Sequence, residues 1–320
     1  MNLQQLRPNN FSEFVGQERL ITTLKTMILG ARHRSETLDH ILFYGQPGLG
    51  KTSLATIIAN ELGSKIHYLQ GVLLDKKSDI LSVFSNISEG DIVFIDEIHS
   101  INKSVEELLY SALEEYKIDI IIGPEGNSRV MRMQLKPFTL IGATTKFNLL
   151  SQPLKDRFGF HARVNNYEEY DIVKILENSE EKLNINVEAG VTNLIARYSK
   201  ATPRVANHLL KRVCDFAIEK KEEIVTKNTV KQTFLHLELY DLGLNRDHLE
   251  YLKILNDTFI EKFASLDSIA GVLNIDRENI LYEIEPLLLH LKLITKNSRG
   301  RKITTAGVEY LSKNKCFLYS

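Results

Sequence analysis

Residues 45–52 read GQPGLGKT, and this stretch decides the fold class. It matches the pattern G-x-x-x-x-G-K-T, in which backbone amides and the start of a helix bind phosphate groups. An apolar strand pattern (40–44) precedes it and a helical pattern (52–62) follows it, which is the context that the pattern requires. A simple glycine-rich turn is the alternative interpretation, and the flanking elements disfavour it. The stretch therefore predicts a P-loop in an α/β domain.

The residues of this loop have separate expected roles. The glycines let successive N–H groups turn inward as an anion nest. Lys51 is expected to reach the β- and γ-phosphates, and Thr52 to give a hydroxyl oxygen to Mg²⁺. The predicted ligands are a nucleoside triphosphate and Mg²⁺, and the predicted binding residues of the loop are Gly45, Gly48, Gly50, Lys51 and Thr52.

A second acidic motif follows the apolar run 92–95, which leads directly into Asp96 and Glu97. A buried strand rarely ends in adjacent acids without a partner for them. We expect Asp96 to orient Mg²⁺ and Glu97 to polarise the attacking water, because phosphoryl transfer depends on positioning and charge stabilisation. The alternative is that Asp96 and Glu97 simply mark a strand end that meets solvent. The P-loop earlier in the chain disfavours this alternative. The tetrad 96–99 also resembles a D-E-x-H box, but the second ATPase core of those helicases is missing.

Two later residues fit an ATPase whose sites are shared between subunits. Thr144 is expected to place a polar group between Glu97 and the γ-phosphate; Thr145 is a rival, and an ordinary strand-end threonine is the alternative. Arg157 is either a surface ion-pair partner, worth less than about 1 kcal/mol, or an arginine finger. A finger projected into a neighbouring subunit's site contributes about 10³–10⁵ in rate and requires an oligomer.

Arg204 follows Thr202 and Pro203, which are typical of a helix N-terminus. The helix dipole disfavours a cation in the first turn by about 0.3–1 kcal/mol. We therefore expect an external anion, a nucleotide phosphate, beside Arg204. An arginine that simply extends into solvent is the alternative.

The order of patterns along the chain predicts three domains. Strands alternate with helices from 39 to 142, which is typical of a parallel sheet covered by helices. Amphipathic helices follow, and then two helical patterns and a strand-turn-strand that outline a winged helix. We expect a P-loop domain over 1–166, an all-α lid over 167–237 and a winged-helix domain over 238–320. Pro286 should kink or restart its helix.

Composition limits the possible functions. The 320 residues are 43% hydrophobic and 25% charged with a net charge of −1, so a globally basic nucleic-acid coat is excluded. Any DNA contact must be a local patch. Between Lys292 and Lys315 there are seven Lys or Arg and one acid, Glu309, which is typical of phosphate contact or of a merely solvated hairpin tip.

The sequence also limits the cellular compartment. Cys214 and Cys316 lack the spacing of a disulfide framework or a zinc site. No apolar run approaches the roughly 18 residues that span a bilayer, and the first residues lack an apolar export segment. We expect a reduced, cytoplasmic location without a membrane partner.

Taken together, these motifs make the chain resemble the RuvB family of AAA+ motors over residues 6–310. The segments that carry the resemblance include LRP (6–8), VGQ (15–17), FIDEIHSINKSVEELLYSALEEY (94–116), PFTLIGATT (137–145), PLKDRFG (153–159), TPRVANHLLKRV (202–213) and SRGR (298–301). A generic AAA+ protein would share only the loop, the acids and the arginines.

The resemblance implies a function and partners. It implies a homo-hexamer that hydrolyses ATP on duplex DNA, independently of base sequence, and drives Holliday junction branch migration with RuvA, RuvC being a further candidate partner. It places Leu6, Arg7 and Tyr167 near the adenine. The further nucleotide contacts that it implies are Ser53, Glu114, Glu115, Tyr116, Arg157 and Arg204, and the DNA contacts are Lys296, Arg299 and Arg301.

Two segments depart from the family pattern. Residues 117–136 resemble the hairpin that contacts RuvA, although an inserted hairpin can also just extend the sheet; Gly-Pro-Glu-Gly (123–126) stands where the family usually has Gly-Glu-Gly-Pro. The wing reads KNSRGR (296–301) instead of RTPRGR, so Lys296 keeps the charge and loses the bidentate fork of arginine.

Two other functional hypotheses stay open at this point. A clamp loader or replication initiator has the same fold and would prefer primer junctions or origin DNA. A DNA-binding regulator would use ATP as a switch with little turnover. Glu97 and Arg157 argue against the regulator, because a switch needs neither.

Overall fold

The structure is a computed structural model that describes residues 3–122, 129–260 and 262–313. The departure at 123–126, Lys315 and Cys316 lie outside the described residues. The described chain forms two compact units. The first comprises residues 3–175 with Thr202–Arg204, and the second comprises Leu176–Ala201 with residues 205–313.

The strands of the chain are short. They are β1 (Ile41–Tyr44), β2 (Ile66–Gln70), β3 (Ile92–Asp96), β4 (Lys117–Ile122), β5 (Arg129–Gln134), β6 (Thr139–Thr144), β7 (Phe160–Arg163), β8 (Ile294–Asn297) and β9 (Gly300–Ile303). The strands predicted around 40–45, 91–96 and 138–145 are confirmed.

The α-helices alternate with strands only in the first half of the chain. They are α1 (Glu18–Arg34), α2 (Lys51–Leu62), α3 (Lys77–Phe84), α4 (Lys103–Glu115), α5 (Gln152–Lys155), α6 (Glu169–Leu183), α7 (Val191–Tyr198), α8 (Pro203–Glu219), α9 (Lys227–His236), α10 (Arg246–Asp257), α11 (Leu266–Leu273), α12 (Arg277–Asn279), α13 (Glu285–His290) and α14 (Thr305–Lys313).

A five-stranded parallel sheet with the order β2-β3-β6-β1-β7 is the centre of the first unit. Its inner strands are apolar along their length because both faces are covered; every residue of β6 is buried. Tyr44 pairs with Thr144, and Ile95 pairs with Gly142. The carboxyl ends of β3, β6 and β1 are therefore neighbours. This register brings the P-loop, the acids and the threonines to one edge of the sheet.

The helices α3 and α4 cover one face of this sheet. Residues of α4 at helical spacing, Val105, Leu109 and Ala112, are buried in one cluster with Val93 and Leu140 of the strands. Asn102 begins α4 by accepting a hydrogen bond from the Ser104 N–H, which satisfies one free donor of the first turn. The position of α4 is thus fixed at both the cap and the core.

The hairpin of β4 and β5 is a separate two-stranded antiparallel sheet. Ile118 and Leu135 anchor its base in the core cluster, whereas Val130 and Met131 are exposed. The alternative that this segment extends the central sheet is wrong, because within the described residues neither β4 nor β5 pairs with it.

The second unit is mainly helical and ends in a hairpin. Its carboxyl-terminal part has a core of its own, built from α10, α11, α13 and the strands β8 and β9. A π-helical turn (Ile280–Ile284) interrupts the predicted helix, and α13 restarts at Glu285 with Pro286 in its first turn. The restart predicted at Pro286 is confirmed. Among the helices within 3–122, 129–260 and 262–313, none has the length and apolar character that a membrane crossing needs.

Candidate functional site

The loop after β1 holds Lys51 in a defined place. The Lys51 ammonium donates hydrogen bonds to the carbonyl oxygens of Gly45 and Gln46, both at 2.8 Å, and the residue is buried. Burial lowers the pKa of Lys51, whereas the charges of Glu97 and Asp96 raise it. The cation is therefore positioned inside the loop by the fold itself and balanced by the acids at the carboxyl end of β3.

The beginning of α8 lies against the loop at Gly48. Gly48 has a φ of +81°, and a Cβ there would lie 2.7 Å from Thr202 Cγ2 and 3.0 Å from Arg204 Cβ. A side chain at this position would thus be strained and would clash. Arg204 is close enough for its charge to lower the pKa of Lys51. The fold brings Arg204 to the loop. The nucleotide phosphate expected beside Arg204 stays a prediction.

Two aromatic rings, those of Tyr167 and Phe14, pack against the loop near Gly50. Tyr167 is buried, and its hydroxyl donates to the Leu49 carbonyl at 3.1 Å. The Phe14 ring would lie 3.2 Å from a Cβ on Gly50. Burial raises the pKa of Tyr167, so the phenol stays protonated and able to donate. Phe14 had no sequence signal, because a single aromatic before a helix is unremarkable.

Leu6 and Arg7 lie at the end of a short 3₁₀ turn (Leu3–Leu6). Leu6 is buried and Arg7 is exposed. The Arg7 N–H donates to the Gln4 carbonyl at 3.2 Å, which closes this turn. The place of Leu6 and Arg7 near an adenine stays a prediction.

The acid after β3 is held by donors from two other segments. Glu97 Oε2 accepts hydrogen bonds from the Thr145 N–H at 3.0 Å and the Thr145 hydroxyl at 2.9 Å. His99 Nδ1 lies 3.1 Å from the same oxygen. Asp96 Oδ1 accepts from the Glu97 N–H at 3.1 Å. The carboxylates of Asp96 and Glu97 thus occupy fixed positions at the edge that carries the P-loop.

The two threonines at the end of β6 have different partners. Thr144 is fully buried, and its hydroxyl oxygen lies 2.9 Å from His99 Nδ1 and accepts from the Lys146 N–H at 3.0 Å. The hydroxyl that touches Glu97 belongs to Thr145, whereas the sequence pattern favoured Thr144 for that place. Successive side chains of a strand point to opposite faces, so only one of two adjacent threonines reaches the acid.

Arg157 is held by four contacts from its own chain. Its guanidinium donates to the carbonyl oxygens of Tyr110 (3.1 Å) and Pro153 (2.7 Å) and to Glu114 Oε2 (3.0 Å), and it lies 4.7 Å from the centre of the Tyr110 ring. Three of its donors are therefore already oriented. The interpretation of Arg157 as a surface ion-pair partner predicted only one of these contacts, the ion pair with Glu114.

Arg157 and the P-loop lie at opposite edges of the sheet. Arg157 precedes β7, whose first residue, Phe160, pairs with Ile41 at the start of β1. The P-loop follows Tyr44 at the other end of β1. Four strand residues span about 13 Å at roughly 3.3 Å each. Arg157 consequently cannot serve the phosphate site of its own chain.

The residues at the end of α4 also lie at the edge that carries Arg157. Glu114 pairs with Arg157, and the Tyr116 hydroxyl is 3.2 Å from Thr37 Oγ1. A cavity of about 220 Å³ here is lined by residues that include Thr37, Asp39, Leu113, Tyr116, Arg157 and Gly159. Glu115 is exposed beside them. The fold thus separates Glu114, Glu115 and Tyr116 from the loop with which they were grouped in the sequence-based site.

The hairpin of β8 and β9 places its three predicted DNA-contacting residues in different surroundings. Arg299 is exposed at the tip. The Arg301 guanidinium is buried and pairs with Glu285, whose side chain is only 1% exposed; Lys296 Nζ lies 2.9 Å from Glu285 Oε2. The Tyr251 hydroxyl donates to the same carboxylate at 3.0 Å. Burial by itself raises the pKa of Glu285, but the hydrogen bonds from Arg301 and Lys296 hold it below its ordinary value.

These positions bear on the expected DNA contacts, which stay predictions. The sequence placed Lys296, Arg299 and Arg301 together on a DNA-facing tip. In the structure Arg301 neutralises a buried carboxylate and does not face solvent, and Lys296 is engaged by the same acid. Arg299 is the one of these three residues that is exposed without an ion pair in the described ranges. Charge density along the sequence does not distinguish an inward-facing from an outward-facing strand position.

Comparisons with known proteins agree along the whole length of the chain. Three family models match: the Holliday junction DNA helicase RuvB P-loop domain over residues 6–164, the RuvB AAA lid domain over 167–240 and the RuvB C-terminal winged-helix domain over 241–312. The chain belongs to the RuvB family. The α/β fold class with an AAA+ P-loop sheet, a lid and a winged helix is thereby confirmed.

Individual RuvB relatives are similar over nearly their entire length. The Holliday junction branch migration complex subunit RuvB of Mycoplasmopsis synoviae is 54% identical over 98% of this chain and 99% of that protein. The protein of the same name from Mycoplasmopsis pulmonis is 53% identical over 97% and 98%. The solved structure of the Thermotoga maritima RuvB Holliday junction branch migration motor matches with a TM-score of 0.83 and 35% identity, over 97% of this chain and 99% of that one.

Membership of the RuvB family makes this a nucleotide-binding chain, and the geometry of the P-loop agrees with it.

Sequence reasoning missed the parts of the site that do not lie in a motif. The sequence marks His99 only as the last residue of the D-E-x-H tetrad, and no motif singles out Gly71. A Cβ on Gly71 would lie 2.3 Å from the Glu97 carbonyl oxygen. Both residues act through contacts that only the folded chain creates.

Proposed function

We propose that this chain is an ATP-hydrolysing motor that drives Holliday junction branch migration as a ring of identical subunits on duplex DNA. Its similarity to RuvB branch migration proteins supports the DNA substrate. The single observation that carries the ring is the separation of Arg157 from the P-loop. Each chain carries the two halves of an ATPase site at opposite edges of its sheet. A complete site therefore needs two copies, and repetition of such a head-to-tail contact gives a ring when the rotation between copies closes.

The nucleotide half of the site consists of the P-loop edge. The glycines of the loop and Ser53 would surround the phosphates, Lys51 would contact the β- and γ-phosphates, and Arg204 would contact the γ-phosphate. Leu6, Arg7 and Tyr167 would flank the adenine. Tyr167 already holds the loop through Leu49, which supports its part in this proposal.

The same edge offers the oxygen ligands that Mg²⁺ prefers. Thr52 is the second residue of α2, and Asp96 is the last residue of β3. In the described residues no group of three or more His, Cys, Asp or Glu side chains forms a closed metal cage. A hydroxyl and a carboxylate instead suit an ion that takes its remaining ligands from phosphates and water. When bound, Mg²⁺ would neutralise phosphate charge.

The hydrolytic residues are Glu97 and Thr145 in this proposal. Glu97 would accept a proton from the attacking water, and Thr145 fixes the carboxylate by two hydrogen bonds. Thr145 thus takes the polar position between Glu97 and the γ-phosphate for which the sequence favoured Thr144. Thr144 supports it indirectly through His99.

The opposite edge would complete the site of the next subunit. Arg157 would stabilise the charge that develops on the transferred phosphoryl group. Glu114, Glu115 and Tyr116 lie on this edge, so any nucleotide contact that they make is to the neighbour's nucleotide. The preoriented guanidinium supports this role, because an ordered fork loses less entropy when it binds an anion.

The remaining surfaces suggest the partners. The exposed Val130 and Met131 on the hairpin of β4 and β5 are the surface that we assign to RuvA, and RuvC is a further candidate partner. Arg299 on the wing would contact DNA phosphates without reading bases. We also retain the division into domains at 1–166, 167–237 and 238–320 as a proposal.

The decisive experiment is branch migration of a synthetic four-way junction, with and without RuvA. We expect ATP-dependent conversion of the junction into two duplexes when RuvA is present. ATP hydrolysis without any conversion, together with stimulation by primer–template DNA, would favour a clamp loader. A protein that binds ATP and DNA but does not turn over would favour the regulator.

The wing makes a separate prediction. Arg299→Ala should weaken binding to all duplex sequences alike and reduce the salt slope by about one phosphate contact. Arg301→Met should instead lower the free energy of unfolding by about 3 kcal/mol, because it removes the closest partner of a buried carboxylate. Fluorescence anisotropy at several salt concentrations and urea unfolding measure the two effects. Unchanged stability of Arg301→Met with a loss of DNA binding equal to that of Arg299→Ala would contradict the assignment.

A further inference from the structure

The hydrogen bonds of Glu97 are concentrated on one of its two oxygens. Oε2 has three donors within reach, the N–H and hydroxyl of Thr145 and Nδ1 of His99. In the parts of the chain that the structure describes, no hydrogen bond to Oε1 is found. The carboxylate is 40% exposed. Its orientation is thus fixed from one side, and the other oxygen is free to meet water.

His99 itself is fixed more firmly than Glu97. Its side chain is only 10% exposed and lies in a single 3₁₀ turn (Ile98–Ser100). Its Nδ1 is 2.9 Å from the hydroxyl of Thr144, which is fully buried and also accepts from the Lys146 N–H. The imidazole therefore connects the end of β6 to the acid that follows β3.

The proton arrangement of this contact follows from its partners. The hydrogen-bond partner of Nδ1 is the Thr144 hydroxyl, and Glu97 Oε2 lies 3.1 Å from the same nitrogen. A carboxylate only accepts hydrogen bonds, so a proton on Nδ1 makes the contact with Glu97 attractive. Thr144 can accept from the same N–H because its hydroxyl has two lone pairs. The backbone at Glu97 is also restricted, since φ is +48° and Gly71 lies against its carbonyl. With backbone and Oε2 both held, the direction of Oε1 is determined.

We propose that His99 is a positioning residue for ATP hydrolysis: through Nδ1–H it holds Glu97 Oε2, together with Thr145, so that Oε1 takes the proton of the attacking water. The inference rests on the proposed role of Glu97 as base. Holding a base in the reactive geometry affects the chemical step and not the binding of nucleotide. His99 also links Thr144 to the acid that Thr145 binds directly.

The test compares two substitutions that differ in where they place an amide N–H. Asparagine puts its nitrogen close to the position of Nδ1, whereas glutamine puts it close to Nε2. We expect His99→Gln to lower kcat about 10- to 100-fold, as for the loss of one charge-assisted hydrogen bond, with KM for ATP unchanged. His99→Asn should retain kcat within about threefold of wild type. His67→Ala is the matched control, because His67 bonds Asp91 at 2.9 Å elsewhere on the sheet, and its kcat should not change.

A double substitution completes the test. In the Glu97→Gln background, His99→Gln should cause no further loss, because residues that act as a unit are not additive. Three outcomes overturn the proposal: full kcat in His99→Gln, equal losses in the asparagine and glutamine variants, or an additive loss in the double variant. Failure of the proposed function looks different, since then wild type fails to hydrolyse ATP or Glu97→Gln stays fully active.

Discussion

Mixing the Arg157→Ala and Lys51→Ala variants is expected to restore ATP hydrolysis that neither variant has alone. Arg157→Ala should lower kcat about 10³- to 10⁵-fold, as the loss of an arginine finger does. Lys51→Ala should abolish productive nucleotide binding. Because the two residues lie at opposite edges of one sheet, an Arg157→Ala subunit keeps an intact P-loop, and a Lys51→Ala subunit keeps an intact finger. An interface is therefore complete when the Arg157→Ala subunit supplies the P-loop and the Lys51→Ala subunit supplies the arginine.

The size of the recovery follows from random assembly. In an equal mixture, about one interface in four has the intact P-loop facing the intact arginine in a head-to-tail ring. ATPase activity of the mixture should therefore approach a quarter of wild type, and wild-type activity should rise more than linearly with protein concentration. Arg212→Ala is a matched control, since Arg212 forms an ordinary ion pair with Asp215. Mixtures that stay inactive, or Arg157→Ala protein with full activity, would refute a shared site.

Glu97→Gln should separate nucleotide binding from hydrolysis. The amide oxygen can still accept from Thr145, so the loop and the strand end should keep their structure. A general base contributes about 10²–10⁴ in rate, and kcat should fall by that factor while the affinity for ATP stays within a few-fold. Single-turnover hydrolysis and binding of a fluorescent ATP analogue measure the two quantities.

Glu89→Gln is the control for Glu97→Gln. Glu89 is an exposed acid in the loop before β3, and Glu89→Gln should behave as wild type. If Glu97→Gln lost binding and hydrolysis to the same extent, Glu97 would be part of the nucleotide-binding surface and not the base. Turnover at the wild-type rate would assign the base to another residue.

Motifs made of adjacent residues were predictable from the sequence. The P-loop, the acids after β3 and the restart at Pro286 each depend on a short stretch whose backbone geometry its own residues favour. The helix start at Pro203 was also predictable, because the chemistry of a helix N-terminus is local. The approach of Arg204 to Gly48 is a long-range contact that only the fold creates.

Choices between neighbours were not predictable. Thr144 and Thr145 are equivalent as letters, and only the direction of each side chain at the end of β6 decides which one reaches Glu97. Arg299 and Arg301 are likewise both basic residues of one wing. Arg301 turns inward because Glu285, sixteen positions earlier, is buried and needs a cation.

The sequence by itself determined the class of fold, the phosphate-binding loop and the acids beside it, because contiguous residues encode turns, strands and helix ends through local sterics and hydrogen bonding. The tertiary structure decided which threonine holds Glu97, which arginine of the wing is exposed, and that Arg157 lies across the sheet from its own P-loop. Those three facts depend on strand order, register and burial. Such properties arise from pairs of residues far apart in the chain, whose contact energies exist only after folding.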